Sequence, residues 1–115
     1  PIALSQKPAI IDLRNPATVT YGTAAGASVN SIRVLWCGEV VRNGSVKYTG
    51  TSNDRDPILI RVGSTTPNAV VPGYFPEDVN MDGATKYTGS SNDRDPILIN
   101  VGSTTPNNAR VQQLP

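Results

Sequence analysis

The chain has no histidine and one cysteine, Cys37, among its 115 residues. Without histidine it lacks the commonest general base, proton shuttle and zinc ligand. A single cysteine excludes an internal disulfide and a Cys-based metal cage, and a nucleophilic thiol would have no histidine to activate it. Cys37 sits in the apolar run Val34-Leu35-Trp36-Cys37, where a buried thiol is expected. Aromatic residues are scarce, with one Trp, one Phe and four Tyr. No apolar run approaches the length of a membrane span. Ten basic residues face nine acidic ones, so the concentrated basic surface of a nucleic-acid binder is missing. Composition therefore points away from an enzyme, a nucleic-acid partner and a membrane span.

Turn chemistry is abundant, with ten glycines and ten prolines. A core this thin, in a chain long enough for one domain, normally needs bound metal or oligomerisation to hold it. The chain opens on Pro1, which reads as a processed piece of something longer.

The dominant feature is a tandem repeat. Residues 47–68, from Lys47-Tyr48-Thr49-Gly50 through Asn53-Asp54-Arg55-Asp56-Pro57-Ile58-Leu59-Ile60 to Pro67-Asn68, recur as residues 86–107. Only Thr51 against Ser90 and Arg61 against Asn100 differ between the copies. Solenoids need more copies than two, so a pseudo-two-fold pair is the better expectation. In each copy Asp56-Pro57 or Asp95-Pro96 predicts a helix start, with the carboxylate as N-cap and proline at the first helical position. The apolar stretches that follow end at Gly63 and Gly102, the residue type expected past a helix C-terminus. A helix of about two turns cannot hold alone in water, so each must dock its apolar face, with its twin the expected partner. The tracts Ser64–Asn68 and Ser103–Asn107 read as polar exit loops. Ahead of the repeat, 9–13, 17–21 and 31–36 are β-leaning runs separated by Asn15-Pro16 and the Gly-Ala-Ser stretch 22–30. The resulting division is 1–36 (extended arm and strands), 37–72 (first loop–helix unit) and 73–115 (second unit with its tail).

Before the second helix stands Asp78-Val79-Asn80-Met81-Asp82-Gly83. Oxygen-bearing side chains at alternate positions followed by glycine open a calcium loop, because a hard cation wants six to eight oxygens and the glycine permits the sharp turn. The Ala84 carbonyl is the next expected ligand. A carboxylate near the helix start should close the shell, with Asp93 the first choice, Asn92 a possible extra ligand and Asp95 the helix cap. The competing interpretation is an ordinary Asx-rich turn. The first copy carries Glu39-Val40-Val41-Arg42-Asn43-Gly44, in which Glu39 and Asn43 keep oxygens but Val41 cannot ligate. The Ser45 carbonyl and Asp54, or Asp56, are the candidates to complete that site. The paired carboxylates of Asn-Asp-Arg-Asp are expected to form ion pairs with Arg55 and Arg94 rather than acid–base machinery. Tyr48 and Tyr87 are expected to bury against the twin repeat.

A D-x-N-x-D-G loop leading into a helix, present twice in tandem, resembles dockerin. The motif Lys-Tyr-Thr-Gly-(Ser/Thr)-Ser-Asn-Asp-Arg-Asp-Pro-Ile-Leu and the terminal Gln113-Leu114-Pro115 resemble the C-terminal region of large secreted Bacteroidota proteins, often labelled hemagglutinin-like. The resemblance runs from about Asn15 to Pro115. It implies a secreted calcium-binding module that docks onto partners and assembles extracellular complexes, with Asp78, Asn80 and Asp82 matching the ligand pattern well and Glu39 and Asn43 partly. The insertion around Lys86–Gly89 departs from the twelve-residue loop. The expected fold is α+β, a small N-terminal antiparallel β segment or sheet followed by a dockerin-like pair of loop–helix repeats. The expected function is an extracellular, calcium-stabilised structural subunit that forms homo-oligomers or filaments by adding Ile10, Ile11 and Leu13 of its arm to a neighbour's sheet edge. The alternative is a docking or adhesion module that binds a protein or glycan partner.

Overall fold

A computed structural model of the chain describes residues 10–20 and 25–111. Within them lie six three-residue strands and two short helices, a small α+β arrangement. In chain order they are β1 (Ala27–Val29), β2 (Ile32–Val34), β3 (Ser45–Lys47), α1 (Arg55–Arg61), β4 (Val70–Pro72), β5 (Ala84–Lys86), α2 (Arg94–Val101) and β6 (Ala109–Val111). All pairings are antiparallel and every sheet has two strands.

The runs at 9–13 and 17–21 do not become strands where they are described, and β1 forms instead inside the stretch read as a spacer. Local turn bonds explain the difference. The Asp12 carboxylate takes the Arg14 backbone N–H and Nε, both at 3.0 Å, and the Thr18 hydroxyl donates to Asp12 O at 2.6 Å. Asn15 Oδ1 accepts the Ala17 N–H across Pro16 at 2.9 Å. Asx and proline chemistry thus satisfies the backbone locally. β1 and β2 join through Asn30 and Ser31, both at positive φ (49° and 63°), the backbone handedness a two-residue hairpin needs. Ala27, Val29, Ile32 and Val34 share one hairpin face, and Arg33 lies on the other. Arg33 ties the hairpin to the preceding turns, donating to Thr18 O at 2.6 Å and Pro16 O at 2.8 Å.

The repeat folds by reciprocal exchange. β3 of the first copy pairs with β6 of the second, while β5 of the second pairs with β4 of the first. The side-chain bonds that lock the exchange are also duplicated. Thr49 Oγ1 donates to Asn107 Oδ1 at 2.8 Å, and Thr88 Oγ1 donates to Asn68 Oδ1 at 2.7 Å. The two loop–helix units therefore share both of their sheets. Ile58 with Val62, and Ile97 with Val101, are buried one turn apart on their helices, the spacing that places side chains on one face. Val40, Val46, Ile58, Ile97 and Val101 form the core, with Tyr48, Val79, Tyr87 and Leu98 packed against it.

The helices begin earlier than the Asp-Pro signal predicts. The residues in N-cap position are Asp54 and Asp93, and neither caps with its side chain. Capping passes to the preceding asparagines: Asn53 Oδ1 accepts the Asp56 N–H at 2.9 Å and Asn92 Oδ1 the Asp95 N–H at 3.0 Å. Pro57 and Pro96 fall in the first turn, where the N–H they lack has no intrahelical partner anyway. Gly102 does end α2 in the left-handed conformation, at φ 113°. The Ser103 N–H returns to Leu98 O at 2.8 Å and the Gly102 N–H to Ile99 O at 3.1 Å, a Schellman closure.

Each unit's lead-in segment crosses the other unit's helix. Arg61 of α1 reaches Glu77 (Nε to Oε2, 3.2 Å) and lies over the Phe75 ring at 4.5 Å. Its counterpart Asn100 donates instead to Cys37 O at 2.7 Å and Sγ at 3.2 Å. The one helical position that differs between copies thus meets two different lead-ins. Cys37 is exposed rather than buried, because its backbone is held across the helix end and not inside the core.

Candidate metal centre

In the second loop Met81 and Gly83 both take positive φ (60° and 85°), which curls the segment back on itself. Asp78 is buried, at 6% exposure. Its Oδ1 accepts the Asp82 N–H at 3.1 Å and its Oδ2 the Gly83 N–H at 2.9 Å. Asn80 Oδ1 also takes the Asp82 N–H, at 2.9 Å, and its amide donates to Ser91 O at 2.9 Å. Asp82 Oδ1 accepts the Ala84 N–H at 3.0 Å. Asp78, Asn80 and Asp82 are thereby gathered on one turn with their oxygens in fixed orientations.

Strand pairing orients the Ala84 carbonyl. The Gly73 N–H donates to Gly83 O at 2.8 Å, so the next pair, Pro72 with Ala84, is of the non-hydrogen-bonded kind. The N–H and C=O of Ala84 consequently both face away from β4, on the side where its N–H meets Asp82.

Asp93 occupies a different position from that of a shell-closing ligand. It is fully buried, with Oδ1 accepting the Asn80 N–H at 3.2 Å and Oδ2 the Lys86 N–H at 2.8 Å. The Asp93 N–H returns to Lys86 O at 2.9 Å. Burial pushes its carboxyl above the usual carboxylate range and the nearby Asp78 charge adds to this, against the lowering effect of the backbone donors Lys86, Asn80 and Val79. Asp54 does the same work in the first copy, accepting Val40 and Val41 N–H at 2.7 and 2.9 Å on Oδ1 and Lys47 N–H at 2.8 Å on Oδ2. Asp56 and Asp95 are exposed on the first helical turn, within 3.3 Å of Arg55 and 3.8 Å of Arg94 respectively. The staple role of Asp54 and Asp93 was the functional feature missed in the sequence. Its one signal is that the Asn-Asp pair recurs unchanged while the loops ahead of it diverge.

The first loop has nearly the same backbone, with Arg42 at φ 59° and Gly44 at φ 81°, but a different chemistry. Glu39 Oε1 accepts the Gly44 N–H and Asn43 Oδ1 the Ser45 N–H at 3.0 Å. Asn43, at the position of Asp82, also donates to Ser52 O at 3.4 Å, the carbonyl that corresponds to the Ser91 acceptor of Asn80. Val41 brings no ligand, and Glu39 is the only carboxylate among the loop's own residues.

A calcium ion fits the second loop better than the first. Asp78 and Asp82 supply two carboxylates, Asn80 an amide oxygen and Ala84 a carbonyl, and the buried repulsion between Asp78 and Asp93 would be relieved by a cation. Among the described residues, no three His, Cys, Asp or Glu side chains converge as a ready-made metal group, so amide, backbone and solvent oxygens must complete any shell. Tyr48 and Tyr87 are half-buried under Arg55 and Arg94, whose guanidinium carbons lie 5.2 and 5.1 Å from the ring centres. Among the described residues, no helix is long and apolar enough to cross a membrane. No family model, curated protein or solved structure matches this chain.

Proposed function

We propose that this chain is a non-enzymatic, extracellular structural subunit, dockerin-like in its paired loop–helix units and stapled by one calcium ion in the second loop. The observation that carries it is the convergence of Asp78, Asn80 and Asp82 on one turn, with the Ala84 carbonyl facing the same side. Glu39, Asn43, Ser45 and Asp54 of the first copy form a hydrogen-bonded turn that needs no metal. With Asp93 committed to backbone donors the calcium shell lacks a closing carboxylate, which suits the weak sites of extracellular modules, with dissociation constants of about 10⁻⁴ to 10⁻³ M. Against catalysis stands the engagement of the buried carboxylates in structural bonds.

Self-association is supported by two apolar surfaces left exposed among the described residues. Ile10, Ile11 and Leu13 are 96%, 49% and 62% exposed, and Val29 and Ile32 of the hairpin are about half exposed. A two-stranded hairpin is marginal alone, and adding a neighbour's arm to its edge would extend the sheet. A second reading, a docking module for a protein or glycan, is favoured by an open groove of about 330 Å³ beside the second loop, lined by Asn80, Asp82, Ser91, Asn92, Asp95, Pro96 and Ile99.

Calorimetry with calcium on the wild type and on Asp82→Ala tests the metal. One site is expected in the wild type and none in the variant, with calcium raising the wild-type melting temperature. Equal melting in calcium and in chelator rejects the site. Electron microscopy with and without residues 1–14 tests assembly: filaments lost on truncation support the arm, whereas a chain that stays monomeric while binding a glycan or protein supports docking instead.

A further inference from the structure

We infer that Lys86 is a built-in competitor for the cation of the second loop, placed to set calcium affinity. This rests on the calcium reading above. Both Asp78 oxygens accept loop N–H groups, and Asp82 Oδ1 accepts the Ala84 N–H. Among the described residues, Asp82 Oδ2 is thus the one carboxylate oxygen of the loop with no backbone donor. Lys86 Nζ lies 3.6 Å from that oxygen, four residues away in sequence, with the two side chains only 26% and 34% exposed.

The backbone of Lys86 is fixed independently of its side chain. Asp93 bridges its N–H and its carbonyl, and β4 pairs it through Val70. The ammonium is therefore free to leave without disturbing the strand. A divalent cation that takes Asp82 Oδ2 has to displace it or accept a positive neighbour, and either lowers affinity. In the metal-free protein the same ammonium offsets the negative charge gathered by Asp78, Asp82 and Asp93. The first copy supplies an internal control, since Lys47 occupies the equivalent position and the residue at the position of Asp82 is Asn43, which carries no charge.

The test is calcium titration by calorimetry of the full chain, paired with thermal melts in calcium and in chelator. Lys86→Met keeps the aliphatic stem and should bind calcium about three- to tenfold more tightly than wild type, from the usual size of a partly screened charge interaction. The gain should shrink as salt is raised. Lys86→Arg and Lys47→Met should stay within about twofold of wild type on the same reasoning. In melts, Lys86→Met should be less stable than wild type in chelator and gain more from calcium. A purely structural lysine would lower stability equally in both. Wild-type binding with no tightening in Lys86→Met overturns the competitor role and leaves the calcium site standing. No binding by the wild type overturns both.

Discussion

Thr85 offers the sharpest test of the packing. It is fully buried on β5, and its hydroxyl has no hydrogen-bond partner among the described residues. The equivalent residue of the first copy is Val46, also fully buried and part of the core. Thr85→Val replaces the hydroxyl by a methyl of nearly the same shape and keeps the β-branch that suits a strand. Burying a hydroxyl without a partner costs about 1–3 kcal/mol in proteins. The substitution should therefore stabilise the chain by about 1–2 kcal/mol, or roughly 5–10 °C in melting temperature for a folded unit of this size. Urea denaturation followed by far-ultraviolet circular dichroism gives the free energy, and an unchanged m-value would show that the unfolded state has not altered. The reverse change, Val46→Thr, should cost about 1–3 kcal/mol by the same mechanism. A neutral or destabilising Thr85→Val would refute the reasoning, because it would mean that the hydroxyl is satisfied in the folded protein.

Two further outcomes follow from the repeat. Asp54→Ala removes the acceptor of three backbone N–H groups, one in a buried bond and two in part-buried bonds, and should cost about 3–5 kcal/mol by urea denaturation, equally in calcium and in chelator. A loss below about 1 kcal/mol would remove the staple role, and a loss seen only in calcium would restore Asp54 as a ligand. Peptides 37–72 and 73–115 should each be unfolded alone, since each holds one strand of both shared sheets and completes neither, and should regain helical circular dichroism when mixed. A folded single peptide would contradict the exchange.

The loop was the most legible part of the candidate site. Alternation of Asp78, Asn80 and Asp82 before Gly83 is a local pattern, and local turn geometry is enough to gather those oxygens. Asp93 was misread for the converse reason. Its sequence neighbours suggest a helix-start carboxylate, but its partners are the backbones of the loop and β5, reached only when the chain folds back. Arg61 and Asn100 carried no meaning as an isolated difference until Glu77, Phe75 and Cys37 were seen lying across the helix ends. The arm was misread at 10–13 and 17–20, where β-branched composition suggested strands while Asp12 and Asn15 closed turns.

The sequence alone determined the tandem duplication, the short apolar helices with their glycine stops and the oxygen-rich turn, because each is written in residues close together along the chain. Tertiary structure decided which strands pair, where the buried carboxylates point and which apolar residues stay exposed. Three-residue strands are too short to carry an alternation signal, and their partners lie up to 66 residues away, at Ser45 and Val111. Only the fold brings the exit strand of each copy onto the loop strand of the other, and that exchange joins the two copies in one core.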